Sequence, residues 1–195
     1  MENGLKNAIE GLSHAEPGKR EAFASWIYVA SKTLTLEAVE NWWTNEELSK
    51  LLMAPNAEVT VGVAVQREAF ARIRAANGIA RLAEVPSDQD AEEFELHFKG
   101  GKSLDILTSR APGGDGAIAK YLAKFGEGVQ QVEFRCLDVD RATEILKAKF
   151  KIAAIYPEPR AGADGTRVNF FLLPLDGGGK VLVELYEAAG KHDKQ

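Results

Sequence analysis

The chain has 195 residues, 45% of them hydrophobic and 27% charged, with a formal net charge of −5. These values fit a soluble chain of one domain with an appendage, or two small domains, and the acidic balance excludes nucleic acid as the expected partner. No apolar run approaches the roughly 20 residues that cross a bilayer, residues 1–6 lack the apolar core of a secretory signal, and the single Cys136 has no partner for an internal disulfide. The expected setting is cytoplasmic, without membrane contact.

Up to Pro55 the pattern is helical. Residues 21–32 place Phe23, Trp26, Ile27 and Ala30 at spacings of three and four. Residues 36–43 form a second short helical segment. Thr44-Asn45-Glu46-Glu47 has the form of a capping box before a third segment carrying Leu48, Leu51 and Leu52. The three tryptophans, Trp26, Trp42 and Trp43, all lie here. Such an aromatic stripe serves as core, as an intrachain docking face or as a partner surface. Residues 1–55 are therefore assigned as a helical extension, and 56–190 as the main domain.

Beyond Pro55 a strand-and-helix pattern occurs twice. The first module, about 58–110, reads as strand 58–65, helix 67–77 and strands near 79–85, 92–99 and 103–108. The second, about 128–187, reads as strand 129–136, helix 140–149 and strands near 151–157, 166–173 and 180–187. A helix at 117–125, stopped by Gly126, joins them. A repeat of roughly 60–70 residues, each a βαβββ unit, predicts an α+β fold. Gly113-Gly114 and Gly177-Gly178-Gly179 read as turns, because neither has the residues of a phosphate loop. Cys136 falls in an apolar strand register and reads as a buried, inert thiol. His14 and His192 receive no role.

Three stretches carry a resemblance. Residues 116–134 (Gly-Ala-Ile-Ala-Lys-Tyr-Leu-Ala-Lys-Phe-Gly-Glu-Gly-Val-Gln-Gln-Val-Glu-Phe), the loop Pro157-Glu158-Pro159-Arg160-Ala161-Gly162-Ala163-Asp164-Gly165, and Val181-Leu182-Val183-Glu184-Leu185 are similar to methylmalonyl-CoA epimerases. These belong to the vicinal oxygen chelate (VOC) superfamily, which includes the glyoxalases. The resemblance implies a glyoxalase/bleomycin-resistance half-barrel of two βαβββ modules. It also implies an isomerase, epimerase or lyase that binds an acyl-CoA or keto ligand. In the family a divalent ion (Co, Mn, Zn or Ni) is held by two histidines and by Glu or Gln residues. The ion stabilises the enolate formed when a carboxylate removes the proton beside a thioester. At the corresponding positions this chain has Thr60, Asp105, Gln131 and Glu184. Glu184 carries over directly, whereas Thr60 and Gln131 replace the histidines, so the resemblance implies a degenerate centre with no certain cofactor.

Strand parity supplies the remaining expectations. Val59, Val61, Val63 and Val65 share the helix-covered face, leaving Thr60, Gly62 and Ala64 on the other. Gln131, Glu133 and Arg135 oppose Val132, Phe134 and Cys136. Glu184 shares its face with Leu182 and Tyr186. In the hairpin 93–106, a three-residue connection, Gly100-Gly101-Lys102, puts His97 opposite Asp105. His97, Asp105, Gln131 and Glu184 then form a polar centre that holds a weakly bound divalent ion or works as an acid–base pair. In the competing reading His97 sits on a solvated hairpin beside a carboxylate.

The candidate catalytic residues are Glu184, His97 and Glu95, with Glu93 an alternative to Glu95. The candidate substrate-binding residues are Thr60, Arg135, Arg167 and Tyr186. The two arginines serve equally as partners of Glu184 or as solvent-facing strand residues. Three functions fit this pattern. One is proton transfer beside a thioester or ketone carbonyl. Another is metal-free sequestration or sensing of a small molecule. The third is protein interaction, including a homodimer, through the aromatic helices.

Overall fold

The structure is a computed structural model that describes residues 2–189. Helix α1 (Glu2–Gly11) is followed by α2 (Pro17–Ala38), which begins on a proline whose fixed φ suits a first helical turn. The helix runs unbroken through residues 33–35, where two separate segments are expected, and only Glu40–Thr44 remains beyond it as a 3-10 turn. Helix α3 (Glu46–Leu51) is capped by Asn45 and not by Thr44. The Asn45 side chain accepts from Leu48 N at 2.8 Å, while the Thr44 hydroxyl donates to the Asn41 carbonyl at 2.7 Å.

The strand-rich part consists of β1 (Val59–Ala64), α4 (Arg67–Ala76), β2 (Glu92–Phe98), β3 (Lys102–Thr108), α5 (Ala117–Phe125), β4 (Gly128–Arg135), α6 (Val139–Phe150), β5 (Arg160–Ala161), β6 (Arg167–Pro174) and β7 (Lys180–Glu187). The expected α+β fold with two related modules is present. The second strand of each module is not a regular strand, however. At 79–85 the chain enters through Gly78 and Ile79, both with positive φ, touches β2 through Ala83 N to Glu93 O, and reaches Pro86. At 151–157 it enters through left-handed Lys151 and bridges Ala154 to Phe171 before Pro157 and Pro159, which cannot donate to a ladder.

The chain divides into two units, the first made of the described residues up to Thr33 with Thr60–Gln131, the second of Leu34–Val59 with the described residues from Val132 onward. In the first unit the strand order is β2-β3-β1-β4. β1 and β3 are parallel, with Thr60 beside Ser103 and Gly62 beside Asp105. β2 and β3 are antiparallel, pairing Phe94 with Ile106 and Leu96 with Leu104. The apolar face of these strands is buried, and Phe70 of α4 meets Phe94 edge-on at 4.8 Å. On the opposite face, Ile118 and Leu122 of α5 pack against Ala64, Ala91 and Leu107 and close one end with an apolar cluster.

In the second unit the order is β4-β7-β6-β5. β4 and β7 are parallel, pairing Val132 with Val183 and Phe134 with Leu185. Val139, Ala142, Ile145 and Leu146 of α6 are buried. Trp42 meets Phe171 edge-on at 6.3 Å, and Trp43 lies 6.4 Å from Phe134. Two of the three tryptophans thus serve the unit's own packing, Trp42 fully buried and Trp43 half-buried. Trp26 is 44% exposed.

Candidate functional site

Burial picks out the four positions that the sequence marks. Among the described residues, the buried polar or charged side chains are Thr35, Thr60, Asp105, Thr108, Ser109, Gln131, Asn169 and Glu184. Asp105 and Glu184 are the only charged members of that set, at 9% and 8% exposure. A buried carboxylate is costly to maintain, so two at related strand positions are informative.

In the first unit Asp105 stands between Gly62 on β1 and Glu95 on β2. Register partners in a sheet share a face, so Thr60, Ser103, Asp105, Glu95 and His97 form one polar surface. The Thr60 hydroxyl donates to Glu95 Oε1 at 3.4 Å, joining β1 to β2 across this surface. The hairpin corrects the expected pairing. Its three-residue connection is Lys99-Gly100-Gly101, one residue earlier than expected, because both glycines take positive φ and Lys102 already pairs with Phe98. His97 therefore faces Ser103 and not Asp105. Its Nδ1 lies 3.0 Å from Ser103 Oγ, its Nε2 lies 3.6 Å from Glu95 Oε2, and its side chain is 72% exposed. Gln131 lies buried on β4 of the same unit.

In the second unit Glu184 stands between Glu133 on β4 and Phe170 on β6. The Glu133 pairing depends on the parallel register of β4 and β7, which the sequence does not show. Phe170 continues into an aromatic wall: Tyr156 meets it edge-on at 6.0 Å, and the Arg160 guanidinium lies over Tyr156 at 4.9 Å. The Pro-rich loop at 157–165 was the available signal for this wall. Tyr186 pairs in register with Arg135 and is half-buried. Arg135 itself bonds Glu58 at 3.0 and 3.2 Å, a contact that raises its proton affinity. Arg167 bonds Asp140 at 2.6 Å, with Glu187 3.8 Å away, and is likewise raised, first by Asp140. Both arginines are thus held by carboxylates on the surface of their own unit. Burial pushes the Cys136 thiol up to about 11, which fits an inert side chain. His14 accepts a hydrogen bond from Glu16 N through Nδ1, and His192 lies outside the described residues.

The donor set can be compared with the ion that the resemblance implies. Transition-metal sites favour imidazole and thiolate, and the two positions in question offer a hydroxyl and a neutral carboxamide. Among the described residues no group of three or more His, Cys, Asp and Glu side chains is gathered closely enough to hold an ion. These residues do not fit a transition-metal centre.

No protein-family model and no curated protein matches the chain. Solved structures do. The methylmalonyl-CoA epimerase of Mycobacterium tuberculosis is similar at a TM-score of 0.55 and 29% identity over 68% of this chain and 87% of that one. A variant of the Streptomyces coelicolor enzyme in complex with 2-nitronate-propionyl-CoA is similar at a TM-score of 0.52 and 28% identity, over 67% and 96%. A methylmalonyl-CoA epimerase in complex with methylmalonyl-CoA and NH4+ matches at a TM-score of 0.52 and 28% identity, over 67% and 93%. Among the described residues no helix is long and apolar enough to cross a membrane. The chain carries the vicinal oxygen chelate fold, and its structural neighbours are methylmalonyl-CoA epimerases.

Proposed function

We propose that the chain binds an acyl-CoA, or a related carbonyl compound, and moves a proton at the carbon beside the carbonyl. The observation that carries this reading is Glu184: a carboxylate 8% exposed, between Val183 and Leu185 on β7, with Phe170 beside it. Such a carboxylate is what general-base chemistry on a carbon acid requires. The neighbours' acyl-CoA complexes support the same ligand class. Glu184 takes the proton, the electron pair of the broken C–H bond moves onto the carbonyl oxygen, and reprotonation at carbon returns the ligand.

The test is incubation with methylmalonyl-CoA and with propionyl-CoA in D2O, followed by mass analysis of the acyl group. Incorporation of deuterium at C2 faster than in buffer supports the reading, and no exchange with either thioester refutes it. A second reading, a binding protein that holds such a ligand without chemistry, is favoured by Thr60 and Gln131 at the imidazole positions. Thermal stabilisation by the thioesters with no exchange would select it.

A further inference from the structure

We propose that this chain holds no transition-metal ion, and that Thr60 and Gln131 are the two positions at which ligation has been given up. The inference rests on donor chemistry and on placement, and it holds whether or not the chain turns over an acyl-CoA. Both side chains are buried, at 7% and 8% exposure, so they keep the enclosed placement that a ligand position needs. Their chemistry is wrong for the ion. A threonine hydroxyl is ionised only with difficulty, and a carboxamide oxygen is a neutral donor that holds Co, Zn or Ni more weakly than the imidazole it replaces.

Thr60 also has another task, since its hydroxyl is directed at Glu95. The nearest imidazole on the same polar surface does not substitute for the missing ligands. His97 is turned to Ser103 and is 72% exposed, and Asp105 faces Glu95 across the ladder. The surface thus offers carboxylates and neutral groups where the resemblance implies imidazoles, and among the described residues no three His, Cys, Asp or Glu side chains gather to make up for them.

The experiment measures metal directly. Full-length chain purified without chelators is analysed for Co, Zn, Ni and Mn and then titrated with cobalt while visible absorption is recorded. The expected content is below about a tenth of an ion per chain, with no cobalt band and no shift in melting temperature on adding the ion. The variant Thr60→His/Gln131→His is expected to take up about one cobalt per chain and to show the visible band. The single variant Gln131→His provides a milder change, expected to bind cobalt more weakly than the double variant but measurably. About one tightly held ion in the unaltered chain would overturn the inference. So would folded histidine variants that bind no more cobalt than the unaltered chain, since these positions would then not be the lost ligands. Neither readout depends on proton exchange, so failure here is distinguishable from failure of the proposed activity.

Discussion

Replacing Glu184 with glutamine separates the proposed chemistry from stability. The side chain is buried between Val183 and Leu185, with Phe170 and Glu133 as ladder neighbours. Glutamine preserves its length and volume, so the steric part of the change is small, and loss of one hydrogen bond costs about 0.5–1.5 kcal/mol. In a chain of this size that corresponds to a melting shift of a few degrees, at about 2–4 °C per kcal/mol. Loss of a general base has a different scale, about 10²–10⁴-fold in rate, equivalent to about 3–5 kcal/mol in the barrier at 1.36 kcal/mol per decade. Deuterium exchange at C2 of the acyl thioester, followed by mass spectrometry on Glu184→Gln and unaltered protein, should therefore fall at least about 100-fold while the melting temperature moves by no more than a few degrees. An unchanged exchange rate in a folded Glu184→Gln protein would refute the assignment of Glu184 as base.

Three further outcomes follow from the packing. In Gly162→Ala the added Cβ would lie 2.5 Å from Thr166 Oγ1 and 2.6 Å from Val168 Cγ1; the expected loss is about 1–3 kcal/mol, read by urea unfolding, and an unchanged midpoint would contradict the geometry. Asp90 accepts hydrogen bonds from the Ser109 hydroxyl at 2.6 Å and from Ala111 N at 2.8 Å, and its carboxyl is held below the ordinary 3.8, chiefly by Ser109. A lowered folded-state pKa gives stability that is complete above pH 3.8 and disappears as pH falls through the folded value. Asp90→Ala should therefore cost about 1.5–3 kcal/mol near neutrality, with the gap closing in acid; a gap that is constant with pH would contradict this. Trp42→Ala removes a side chain that is 1% exposed and sits edge-on to Phe171. The expected cost is about 3–5 kcal/mol in unfolding free energy, and a loss below about 1 kcal/mol would show that the tryptophan is not core.

The residues that were legible in the sequence are those with a strong local cause. Helix α5 ends where Gly126, at φ 72, supplies the stop, and its bounds are those expected from the pattern. The alternation of Phe94, Leu96, Leu104 and Ile106 fixed the face of the hairpin, and all four are buried. Thr60, Asp105, Gln131 and Glu184 are buried as well, because their positions on inner strands follow from the repeat. What was not legible depends on long-range register. The one-residue placement of the Lys99-Gly100-Gly101 turn decides whether His97 meets Asp105 or Ser103, and either reading satisfies the apolar alternation. The Glu133–Glu184 pairing requires the parallel ladder between strands about 50 residues apart, where no local pattern chooses the offset. The segments 79–85 and 151–157 have apolar residues enough for strands, but Ile79, Lys151 and the prolines that follow break the ladder. The apolar cap from α5 onto Ala64 and Leu107 was hidden for a related reason, since an amphipathic helix does not announce which face of a sheet it will cover.

The most direct measurement is a crystal structure of the chain with propionyl-CoA. The acyl C2 atom is expected within about 3.5 Å of the Glu184 carboxylate, the separation at which proton transfer is geometrically ready. A thioester bound on a surface remote from Glu184, with the carboxylate shielded from the acyl group, would contradict it.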